Sequence, residues 1–164
     1  MKAGKIISGI LKTGAVAGLV GGIAYYDKKK LDKQVSYADR YKNYYQLTKE
    51  WVTLKQDNKN IEDWFKNNNI NTIAIYGLGT MAELLYNEIK GKIKVANFID
   101  KNSDELYRGL DNIPVVAPSD IVDAEGIDAI IITPVYDFDA IRDELETLGV
   151  TQTIKSLEDV IYEI

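Results

Sequence analysis

Residues 72–90 read TIAIYGLGTMAELLYNEIK, and this stretch decides the fold. Thr72–Tyr76 is a short apolar run rich in β-branched and aromatic side chains, the pattern of a buried strand. Gly77-Leu78-Gly79 interrupts it. Ala82, Leu85 and Ile89 then recur at helical spacing. The stretch therefore reads strand, glycine turn, helix. Downstream, residues 93–100 (IKVANFID) predict a second strand, 114–117 a short third and 128–133 (DAIIIT) a buried fourth. A helix over 137–148, a fifth strand over 152–155 and a last helix over 157–164 complete the pattern.

Strands alternating with helices predict an α/β fold whose parallel sheet is covered on both faces. Right-handed crossovers favour the strand order 3-2-1-4-5, a Rossmann-like five-stranded sheet. Gly77-x-Gly79-x-x-Ala82 fits the glycine fingerprint in its alanine-terminated form. The first glycine permits the tight turn, the second lets a phosphate approach the backbone, and Ala82 lets helix and strand pack closely. A helix opening at Thr80 and Met81 offers N–H groups and the positive end of its dipole to an anion. Asp100 stands 21 residues after Gly79, at the end of the second predicted strand, where a ribose hydroxyl would be held. Lys101 follows it and could meet a second phosphate. Thr133 and Pro134 end the fourth strand, across the crevice from the glycine loop. The candidate binding residues are thus Gly77, Gly79, Thr80, Met81, Asp100, Lys101, Thr133 and Pro134, with an NAD(P)-type cofactor or a nucleotide-sugar as the ligand.

Catalytic residues are harder to find. The chain has no His and no Cys, which removes the commonest general base, thiol nucleophiles and thiolate metal sites. Tyr86 and Lys90 have the YxxxK spacing of short-chain dehydrogenases, but they lie on the helix directly after the glycine loop. Tyr45 and Lys49 repeat the spacing, as chance predicts in a chain with eleven Tyr. Asp120, Asp123 and Glu125 lack metal-site spacing and read as solvated surface. Neither a catalytic set nor a metal site is assigned.

Upstream, residues 6–26 (IISGILKTGAVAGLVGGIAYY) carry one charge, Lys12. About 20 mostly apolar residues suffice for a helix to span the hydrocarbon core. Tyr25 and Tyr26 suit the interfacial belt, and Lys28, Lys29 and Lys30 suit the cytoplasmic side of an inner (cytoplasmic) membrane. A spanning helix and a helix lying in the interface both fit. Gly14, Gly18 and Gly22 share one helix face and would allow close helix packing in lipid. Residues 31–56 contain neither Gly nor Pro and predict a helix, with Tyr37, Tyr41, Tyr44, Thr48 and Trp51 in one stripe. That stripe is expected to pack on the C-terminal domain or on a second copy of the chain. Asn60 reads as the N-cap of a short helix that buries Ile61, Trp64 and Phe65. The expected organisation is a membrane-type helix over 1–30, a Tyr-rich helical connector over 31–69 and the α/β domain over 70–164.

Charge supports this division. Residues 1–70 sum to +6 and residues 71–164 to −11, which together make the net −5. A basic end beside an acidic body fits a membrane-facing N-terminus, and the acidic body argues against nucleic acid as a partner.

Tyr45, Trp51, Leu54-Lys55-Gln56, IAIYGLGTMAELLYNEI, VANFIDKN, Ile113-Pro114-Val115-Val116 and Ile131-Ile132-Thr133-Pro134 carry a resemblance. Residues 40–164 resemble small Rossmann modules of bacterial capsule and exopolysaccharide biosynthesis proteins. They are similar to the N-terminal domains of some sugar-nucleotide dehydratases and sugar acetyltransferases. The resemblance implies ligand contacts at Gly77, Gly79, Thr80, Asp100 and Thr133. The catalytic and acyltransferase parts of those enzymes are missing here. The leading expectation is a membrane-tethered cytoplasmic binding module accessory to cell-surface glycan assembly. An enzyme completed by a partner chain and a ligand-free oligomerising scaffold are the alternatives.

Overall fold

The structure, a computed structural model, describes the backbone of residues 3–106, 109–122 and 124–164. Side chains are described over the same ranges except 3–24, 26, 27 and 32. The chain divides into two compact units, Met1–Lys42 and Asn43–Ile164.

The first unit is helical backbone, the leading part of α1 (Ala3–Gln56). Separate helices were expected on either side of the lysine run. The backbone instead continues through it, because 27–30 (DKKK) contains no helix breaker. The side chains of the expected span over 6–26 and of its Gly14, Gly18 and Gly22 face lie outside the described ones, Tyr25 apart. Among the described residues no helix is long and apolar enough to cross a membrane. Tyr37 and Tyr41 are 51% and 76% exposed, and Lys33 Nζ stands 5.6 Å from the Tyr37 ring centroid.

The second unit begins with the last turns of α1 and continues through α2 (Ile61–Asn67), β1 (Thr72–Tyr76), α3 (Thr80–Ile89) and β2 (Lys94–Ile99). Then come β3 (Val115–Val116), β4 (Ala129–Ile132), α4 (Phe138–Leu148), β5 (Thr153–Ser156) and α5 (Leu157–Tyr162). The five strands are all parallel and lie in the order β3-β2-β1-β4-β5, as the alternation of elements predicted. The β1–β2 register slips by one residue after Ile73, leaving Ala96 unpaired in a bulge.

Alternate strand residues serve opposite faces. Ile73, Ile75, Ala129 and Ile131 share one core with Leu47, Trp51, Leu54, Ile61, Phe65, Leu85 and Leu157. Ala74, Tyr76, Ile99, Ile130 and Ile132 share the other with Ile121, Ile141 and Leu145. Of the tyrosine stripe of α1, Tyr44 packs against the first core and Trp51 is 6% exposed within it. Tyr45, which lies off the stripe, is exposed.

Glu88 of α3 is the polar joint beneath these helices. It accepts from Trp51 Nε1 (2.7 Å) and from the Ile61 N–H (3.1 Å), and pairs with Lys55. Asn60 does occupy the N-cap position of α2, but its side chain makes no cap and accepts from Lys55 Nζ instead (3.2 Å). Glu88 takes up one orphan donor of this helix start, the Ile61 N–H. A second joint is Trp64 Nε1 to Glu163 Oε2 (2.8 Å), and α5 opens with a capping box between Ser156 and Asp159.

Glu88→Ala is expected to cost about 2–3 kcal/mol in urea unfolding, since charged hydrogen bonds are worth roughly 1.5–3 kcal/mol each and a buried indole donor is left unpaired. Glu88→Gln should recover part of it. An alanine variant as stable as wild type would contradict the joint.

Three carboxyls are held below their ordinary range: Glu62 by Lys92, Asp128 by the Asn71 and Thr72 N–H groups, and Glu163 by Trp64 Nε1 and then Lys155. Lower folded than unfolded values mean that the unfolded chain binds protons more readily. Their stabilisation is complete above the unfolded carboxyl range of about 4 and is lost as pH falls through the lowered folded values. The urea midpoint should stay level from about pH 7 to 5 and fall below about 4, more shallowly in Asp128→Asn. A midpoint that rises on acidification would contradict this account.

Candidate functional site

β1 ends at Tyr76, and Gly77-Leu78-Gly79 carries the chain into α3. Gly77 has φ +84°, a region that side chains with a Cβ rarely adopt. A Cβ there would also stand 3.0 Å from Pro134 Cδ and Cγ and 3.1 Å from Thr133 Oγ1. The Gly77 N–H donates to the Ile99 carbonyl (2.7 Å), and the Leu78 N–H donates to Asp100 Oδ2 (3.1 Å). Asp100 Oδ1 accepts from the Asn102 N–H (2.9 Å). Asp100 thus braces the glycine loop while keeping two of its four lone-pair sites.

Gly79 differs. Its φ of −104° is ordinary, and a Cβ there would meet nothing within 4 Å. No side chain caps α3, and Gly79 and Thr80 are exposed, so the loop presents a helix N-terminus to open space. Ala82, the third fingerprint position, is fully buried.

A cleft of about 450 Å³ lies beside the loop, at the C-terminal ends of β1, β2 and β4. Tyr76, Gly77, Asp100, Lys101, Asn102 and Pro134 line one side. Asp137, Ala140, Ile141 and Glu144 line the other, from α4 and the residue before it. Lys101 Nζ pairs with Glu144 Oε2 at 2.7 Å. Of the residues expected from the sequence, Gly77, Asp100, Lys101 and Pro134 meet here. Gly79 and Thr80 stand at the far end of the loop. Met81 is partly buried against the first core, and Thr133 is buried with Oγ1 donating to the Tyr76 carbonyl (2.9 Å), so neither side chain lines the cleft.

Sequence reasoning missed Tyr76, Asn102 and Glu144. The spacing of Asp137, Ala140, Ile141 and Glu144 does place them on one helical face. No pattern in the chain brings that face to the end of β1, which needs the handed crossover and the packing of α4. Tyr76 reads as core, and its ring is core. Its hydroxyl is buried and has no hydrogen-bond partner. Burial, with the charges of Glu144 and then Asp100, pushes the phenol up to about 12, so it stays a neutral donor at ordinary pH.

Other candidates resolve as structure. Tyr86 Oη donates to Asp111 Oδ2 (2.8 Å), and Lys90 Nζ lies 5.8 Å from the Tyr86 ring centroid. Asp120 and Glu125 are exposed, and Asp123 lies outside the described residues. No group of three or more metal-type side chains capable of holding an ion occurs among the described residues. A second groove, about 400 Å³ and largely apolar, runs between the end of α1 and α3 beside Val52 and Leu84. Its charged residues, Lys55 and Glu88, are already paired with each other.

Fold and site together define an α/β domain with a glycine loop at the C-terminal edge of a parallel sheet. Residues 69–154, just over half of the chain, match the family described as "C2185-like, N-terminal", and the chain belongs to that family. Neither a curated protein nor a solved structure matches it.

The two glycines should respond oppositely to alanine. Gly77→Ala is expected to cost about 2 kcal/mol or more, from the left-handed backbone and the overlap with Pro134. Gly79→Ala should be neutral or stabilising by roughly 0.4–1 kcal/mol, because it restricts the unfolded chain without strain. Equal thermal shifts in the two variants would contradict the assignment.

Proposed function

We propose that this chain is a small nucleotide-binding module, taking a nucleotide, an NAD-like cofactor or a nucleotide-sugar at the crevice beside Gly77 and Gly79. The observation that carries the reading is the uncapped N-terminus of α3 behind Gly79, where a Cβ would project into open space. Backbone N–H groups and the helix dipole favour a phosphate there. Asp100 supports ribose recognition, since its remaining lone pairs can accept from hydroxyl donors, and its charge disfavours a 2′-phosphate. The Rossmann-like strand order and the resemblance to capsule and exopolysaccharide modules support a role beside cell-surface glycan assembly. Residues 6–26 are read as the attachment to the inner membrane, with the α/β domain on the cytoplasmic side. Membrane association through that segment, with self-association through Gly14, Gly18 and Gly22, belongs to the same proposal.

Thermal shift of the full-length chain in detergent, against UDP, UDP-glucose, NAD and NADP, tests it. At least one of UDP, UDP-glucose and NAD should stabilise the protein, and NADP should bind more weakly than NAD. Gly79→Trp should abolish the shift while leaving the unliganded melting temperature within a few degrees. A full panel without any shift, or a shift that survives Gly79→Trp, would refute the glycine-loop site.

A further inference from the structure

The cleft beside α4 has a feature that phosphate binding at the glycine loop does not use. Among the described residues, Tyr76 Oη and Glu62 Oε2 are the buried side-chain polar atoms without a hydrogen bond, and Glu62 Oε2 is ion-paired with Lys92. Tyr76 Oη is left with nothing. The residue is 4% exposed, and the carboxylates whose charge reaches its hydroxyl, Glu144 and Asp100, both line the cleft. Tyr76 itself lines the cleft, and its hydroxyl is buried. Buried polar groups are almost always satisfied, so an orphan beside a cleft calls for a partner the chain does not supply.

The chemistry of that partner follows from the walls. Asp100, Asp137 and Glu144 oppose one cation, Lys101, which is engaged by Glu144. Such a wall repels phosphate and offers carboxylate acceptors to hydroxyl donors. Pro134, Ala140 and Ile141 supply apolar surface between the polar groups, which suits the C–H face of a sugar ring. The volume of about 450 Å³ falls within the range of small-ligand sites.

We infer that this cleft is a subsite for the hydroxylated sugar ring of the bound nucleotide. Tyr76 Oη donates to a ring or hydroxyl oxygen, and Asp100 and Glu144 accept from sugar hydroxyls. The Lys101 and Glu144 side chains, 60% and 37% exposed, part to admit the ring. The inference rests on the nucleotide reading above, and it divides the work of the ligand site. The glycine loop holds phosphate, and the face toward α4 reads the sugar. The sugar is either the ribose of the nucleotide or a hexose beyond its phosphates.

Tyr76→Phe removes the orphan hydroxyl and keeps the ring in its core. Calorimetry on the full chain would compare UDP with dUDP, UDP-glucose with UDP, and free ribose and glucose, in wild type and variant. The Phe variant should melt no lower than wild type and lose about tenfold in affinity, the factor for one hydrogen bond. A loss for UDP identifies the ribose, through its 2′-hydroxyl where the loss disappears with dUDP and through another ribose oxygen where it persists. A loss confined to UDP-glucose identifies the hexose. If nucleotides bind both proteins equally, the sugar subsite is overturned and the nucleotide reading stands. If no nucleotide binds but a free sugar binds wild type and not the variant, the nucleotide reading falls and the subsite stands. If nothing binds, both fall. Should the Phe variant melt lower, Glu144→Gln, at the partly exposed rim, gives the same comparisons, with the same sugar-dependent loss expected and equal binding overturning the subsite.

Discussion

The left-handed turn at Gly77 is the constraint on which this domain depends. It reverses β1 into α3 within a few residues, and neighbours on both sides secure it. The Ile99 carbonyl and the Asp100 carboxylate hold its N–H groups from the β2 side, while Pro134 and Thr133 press on it from β4. Three strand ends are thereby tied to one loop. Thr133 adds a hydrogen bond from its hydroxyl to the last carbonyl of β1. A site built there inherits this rigidity from the sheet and needs little organisation of its own.

The two faces of the sheet then take different tasks. One is sealed by four helices, with Glu88 and Glu163 each satisfying an indole N–H that apolar packing alone would have stranded. The other is covered by α4 and the turn around Ile121, which leave the cleft open at the strand ends. Charge follows the same division. Glu88 is spent on structure and Asp100 on bracing the loop, whereas Glu144 pairs with Lys101 at the cleft rim. A carboxylate's role here is decided by which face of the sheet its element covers.

Much of this was legible in the chain. TIAIY and DAIIIT read correctly as strands because central parallel strands buried on both faces are apolar. IKVANFID, only partly buried, reads so from its short β-branched and aromatic run. Their order followed from handed crossovers, and the fingerprint located the loop because only glycine serves at Gly77. Asp100 was legible as the polar end of an apolar strand. Local signals were less dependable where a distant group could outcompete them. Asn60 has the residue type of a cap, yet its side chain accepts from Lys55, and the first N–H of α2, that of Ile61, goes to Glu88, 27 positions on. The tyrosine stripe has one helical phase, yet Tyr44 and Trp51 join the core while Tyr37 and Tyr41 are exposed.

By itself, then, the sequence determined what depends on near neighbours: the alternation of strands and helices, the sheet order and the glycine turn. Those follow from periodicity, backbone sterics and the twist of the chain. Tertiary structure alone decided that Thr133 is buried, that Glu88 joins three segments, and that Tyr76, with an unpaired hydroxyl, lines one cleft with Glu144. Each of these depends on groups far apart in sequence. The partner of a buried polar atom is set by which elements pack against it, and no local pattern encodes that.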